Sequence, residues 1–80
     1  MSTQTEQTTI PAPAPQGTHH WVMTLELPGR MAMTASGTFT PPAGWTRHDM
    51  YRAIKDDIAR ENPELATANV MFFALEPNQL

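Results

Sequence analysis

Eighty residues with a formal charge of −3, three histidines and no cysteine leave room for one small domain and remove several chemistries together. There can be no disulfide, thiolate metal site or thiol nucleophile, and the acidic balance excludes long-range attraction to nucleic acid or an anionic membrane. Met1 to Gln7 lacks the basic and apolar regions of a signal peptide, and no later run is apolar for long enough to span a bilayer, so a cytoplasmic protein is expected.

Residues 1–18 join a Thr/Gln run to the alternation Pro11-Ala12-Pro13-Ala14-Pro15. Such a composition buries too little apolar surface to offset the entropy of ordering it, so a disordered tail with a polyproline-like stretch is expected, and a folded domain over 19–80. No basic residue flanks the prolines, which argues against a ligand for an aromatic groove.

From His20 the pattern takes period two. Trp21, Met23, Leu25 and Leu27 share one face, and His20, Val22, Thr24 and Glu26 the other. After Pro28-Gly29-Arg30 the alternation resumes, with Met31, Met33, Ala35, Gly37 and Phe39 opposed to Ala32, Thr34, Ser36, Thr38 and Thr40. The pair reads as a hairpin. A two-residue loop would set Leu25 against Ala32, whereas a three-residue loop pairs Leu27 with Met31, Leu25 with Met33, Met23 with Ala35 and Trp21 with Gly37. The odd loop is expected, and it lets the indole cover the glycine backbone.

Pro41-Pro42-Ala43-Gly44 stops the strand. Thr46-Arg47-His48-Asp49 then fits an acidic variant of the capping box, and Trp45 before the cap is placed to staple onto Met50. In the helix that follows, Met50, Tyr51, Ile54 and Ile58 form the core-facing stripe, while Arg52, Asp56 and Arg60 alternate in charge on the outer face. Asn62-Pro63 ends it, and Leu65 is expected to fold back onto the core.

Asn69 to Glu76 is apolar at both parities and reads as a third strand. The element order predicts an α+β, two-layer β-β-α-β domain, with a three-stranded sheet and one helix packed on one face. The order 2-1-3 is preferred, because it leaves the Thr-rich second strand at an edge.

No catalytic site is expected. His19 and His20 are neighbours on a strand and point apart, His48 reads as a solvated residue at the helix start, and neither arrangement gives a metal-ligand spacing. Asp56 and Asp57 diverge by about 100° on the helix and so cannot act as a carboxylate pair; they are expected to balance Arg52 and Arg60. The hydroxyls lack a base or a glycine-rich elbow, there is no phosphate loop or dinucleotide fingerprint, and no cofactor is implied. Met23, Met31, Met33, Met50 and Met71 are in core phase and are assigned to gap filling.

A sheet covered by one helix has a single dry face, yet the third strand carries apolar side chains on both. With Met71, Phe73 and Leu75 assigned to the core, Val70 and Phe72 emerge on the open face beside Val22 and Thr24. Such a strip marks either a partner-binding surface or a face that the returning tail or the Pro41-Pro42 segment covers, and the first is taken as the expectation. A non-enzymatic interaction or assembly module is expected, docking on another protein or on itself as a homo-oligomer through the open face or edge. The alternative is a nucleic-acid-binding accessory protein that stacks bases on Trp21, Phe39 or Phe72, and the scattered basic residues count against it. A phosphate mimic would need denser acidic residues than these.

Overall fold

The computed structural model describes residues 15–80. The disorder expected of 1–14 lies outside the described residues. The chain runs through β1 (His19–Leu27), β2 (Met31–Phe39), α1 (Arg47–Glu61), a short 3₁₀ helix (Pro63–Thr67) and β3 (Asn69–Pro77). The strands form one antiparallel sheet in the order β2-β1-β3, so the architecture is the β-β-α-β arrangement that the periodicities imply.

The hairpin loop has three residues, and Leu27 pairs with Met31, Leu25 with Met33, Met23 with Ala35 and Trp21 with Gly37. Pro28 presets the backbone and Gly29 takes φ +77°, the requirement of the third position in a type II turn, which the Arg30 N–H closes by donating to Leu27 O at 2.9 Å. The Trp21 indole lies over Gly37, where an added Cβ would stand 3.2 Å from the ring.

Helix α1 begins at the capping box. Thr46 Oγ1 accepts the Asp49 N–H at 3.1 Å, and Asp49 Oδ2 accepts the Thr46 N–H at 3.0 Å. That backbone hydrogen bond is the main reason the Asp49 carboxyl titrates below the usual aspartate range, with help from the Thr46 hydroxyl, His48 and Arg52 against the cost of desolvation. Because the folded state favours the charged form, the cap's contribution is present above the unfolded pKa and is lost as pH falls through the lowered one. Acid unfolding monitored by circular dichroism should therefore show a helix-loss limb below about pH 4 that Asp49→Asn flattens. Thr46→Ala should cost about 1 kcal/mol in urea denaturation at neutral pH.

Met50, Ile54 and Ile58 are buried beneath α1 against Met23 and Leu25, and Leu65 and Ala68 close the core from the connection to β3. Tyr51 meets Phe73 edge-on, with ring centroids 5.5 Å apart. On the outer face Arg60 pairs with Asp57 at 3.2 Å; both side chains are largely exposed, so the pair contributes little. Trp45, expected as a staple to Met50, lines one groove with it and also stacks on Phe39, with ring centroids 6.2 Å apart. The proline-rich turn carries the ring back over the end of β2.

Two features depart from the sequence reading. Gln16 to Thr18, assigned to the tail, are tied to the sheet: Gly17 N–H donates to Thr38 Oγ1, Thr18 N–H to Thr40 Oγ1, and the Asn78 side chain bridges Gln16 and Gly17. The second departure is in β3, whose register against β1 shifts between Thr24 and Leu25. Thr24 faces Phe72 and Leu25 faces Val70, which leaves Met71 as the extra residue of a β-bulge. The parity of the strand reverses there. Val70 consequently turns to the helix side and packs against the core, while Met71, expected inside, is 59% exposed.

Candidate interaction surface

The uncovered side of the sheet is built by the even-numbered residues of β1 and β2 together with Phe72, Ala74 and Glu76. Thr24 and Thr34 are joined across the strands by a 2.8 Å hydroxyl pair, in which one O–H donates to the other's oxygen. Phe72 stands opposite Thr24, and Ala74 opposite Val22. Of the four residues expected on this face, Val22, Thr24 and Phe72 are brought together there and Val70 is not, because the bulge reverses it. Phe72 is 55% exposed, so Met71 and Phe72 form an apolar corner on an outer strand. Met71 was missed for a physical reason: a strand apolar at both parities gives no signal of where one residue is added.

The hydrogen bonding of β3 follows from one end of the ladder. Asn78 N–H donates to Thr18 O at 2.8 Å, and Pro77, which has no donor, sits opposite His19. Antiparallel alternation then makes His20/Glu76, Val22/Ala74 and Thr24/Phe72 the bonded pairs, and Trp21/Leu75 and Met23/Phe73 the non-bonded ones. The backbone N–H and C=O groups of Phe73 and Leu75 therefore point away from β1, toward the outer margin of the sheet. Among the described residues, one of them is occupied. Arg47 Nη2 donates to Phe73 O at 3.3 Å, with its guanidinium 4.8 Å above the Phe73 ring.

Elsewhere, a shallow groove of about 580 Å³ lies between the start of α1 and the end of β3, lined in part by His19, Trp45, Arg47 and Leu75. His19 Nδ1 is engaged with the Thr18 hydroxyl at 2.8 Å, and His48 stacks on Tyr51. Among the described residues no three His, Asp or Glu side chains are grouped to hold a metal ion, and no helix is long and apolar enough to cross a membrane.

No protein-family model matches this chain, and comparison with curated proteins and with solved structures finds no significant similarity.

Proposed function

We propose that the chain is a non-enzymatic protein-interaction module that assembles through the outer edge of β3 and its apolar corner, beside the open sheet face, with a second copy of itself as its first partner. The observation that carries this reading is the exposure of Met71 and Phe72 side by side on an outer strand, next to a sheet face that no helix covers among the described residues. Large apolar side chains scattered singly need no explanation; two adjacent ones beside free backbone groups make a surface that excludes water when paired. The chemistry favours a protein partner over a polyanion. No charged residue lies between Asn69 and Leu75, and the net charge repels phosphate.

Sedimentation velocity of the full chain over a wide concentration range tests the reading. The sedimentation coefficient should rise with concentration, and Phe72→Glu should hold the chain monomeric while leaving its circular dichroism unchanged, since Phe72 is outside the core. A wild-type chain that stays monomeric up to hundreds of micromolar, roughly the ceiling for a specific weak contact, contradicts it.

A further inference from the structure

From the free backbone groups of β3 we infer the geometry of this assembly: two copies join β3 to β3 antiparallel, about a two-fold axis at Ala74, and Arg47 gates the joint. The inference rests on the proposed self-association and adds its register. An antiparallel partner must present residues of matching parity, so that apolar side chains remain on their own faces. Among such registers, the one that sets Phe73 against Leu75 of the second copy, and Leu75 against its Phe73, uses every outward N–H and C=O of both residues in four backbone hydrogen bonds.

The side chains agree with this register. Ala74 meets its own copy as a close, non-bonded pair on the open face, where only a small residue fits well. Phe72 lies opposite Glu76 of the other copy, so the phenyl covers a carboxylate stem and no like charges are opposed. The product is a six-stranded sheet with both helices on one side. Its contact is narrow, which places it among weak associations, with dissociation on the order of 10 μM or above.

Arg47 competes with the partner strand for Phe73 O, and its guanidinium lies at that margin. Joining requires it to swing aside. A cationic side chain laid across an outer strand is a recognised means of restraining edge pairing, and here it bears on a central acceptor of the joint.

The chain has no cysteine, so one introduced thiol reports the axis. Residues in a non-bonded antiparallel pair have Cα atoms about 4.5 Å apart, within disulfide reach. Under mild oxidation, full-length Ala74→Cys should form a disulfide-linked dimer at least about tenfold faster than Ser36→Cys, a more exposed control on β2. Adding Arg47→Ala should tighten association by about 25-fold, the worth of two hydrogen bonds, one in each copy, at about fivefold apiece. A chain that sediments as a monomer throughout overturns both this inference and the reading beneath it. A dimer that Phe72→Glu dissociates, but in which Ala74→Cys cross-links no faster than Ser36→Cys or Arg47→Ala does not tighten association, overturns the register and its gate alone.

Discussion

Leu25→Ala should unfold a large fraction of the molecules at room temperature. Leu25 is fully buried on the central strand, between Met33 on β2 and Val70 on β3. Truncating a buried leucine costs about 2–5 kcal/mol through lost transfer energy and the cavity left behind. A domain of this size has only a few kcal/mol to lose. The upper half of the range is expected because Leu25 borders the bulge: Val70 is fixed by its pairing with Leu25 and cannot slide inward without undoing the register shift. Urea titration followed by tryptophan fluorescence should show a midpoint near zero denaturant. A loss below about 1 kcal/mol would mean that the core collapses onto the gap.

Gly17→Ala is the second substitution with a large expected effect, and sequence periodicity alone would have called it harmless. An added Cβ would stand 2.4 Å from the Phe39 carbonyl carbon and 2.5 Å from its nitrogen, and backbone atoms cannot yield as a side-chain tip can. The strand start must lift away. With it go the bonds from Gly17 to Thr38, from Thr18 to Thr40 and from Asn78 to Gly17. At about 0.5–1.5 kcal/mol per bond, reduced because these sites are exposed, a loss of about 1–3 kcal/mol is expected, with faster amide exchange at Gly17, Thr18 and Asn78 while the centre of β1 keeps its protection.

These two substitutions mark how far the sequence could be read. The hairpin register was legible because parity and loop length constrain each other: only a three-residue loop keeps Met31 and Met33 on the face of Leu25 and Leu27. The helix start was legible because Thr46 and Asp49 satisfy each other locally, without help from the rest of the fold. Leu65 was legible as an isolated apolar residue following a helix-ending proline. The bulge was not, since Val70 to Leu75 offers apolar side chains in either phase and only three-dimensional packing against Leu25 selects one. Nor were Gln16 to Thr18, whose anchorage depends on hydroxyl acceptors of β2 about twenty residues away rather than on hydrophobicity. For the proposed surface, Val22, Thr24 and Phe72 could be placed by parity, whereas exchanging Val70 for Met71 required the structure.

The middle position of β1 also bears on how the chain is made. The hairpin can close as soon as residue 39 has left the ribosome, but the opposite flank of its first strand waits for residues 69–77, after α1 has been synthesised. At about 5–20 residues per second the delay is a few seconds. During that interval the backbone groups of His20, Val22 and Thr24 that later bond β3 are free to pair with any extended segment nearby, so vectorial synthesis exposes a template that the finished molecule hides. Slowing translation between codons 40 and 69 should therefore reduce the soluble yield without changing the stability of the protein that does fold.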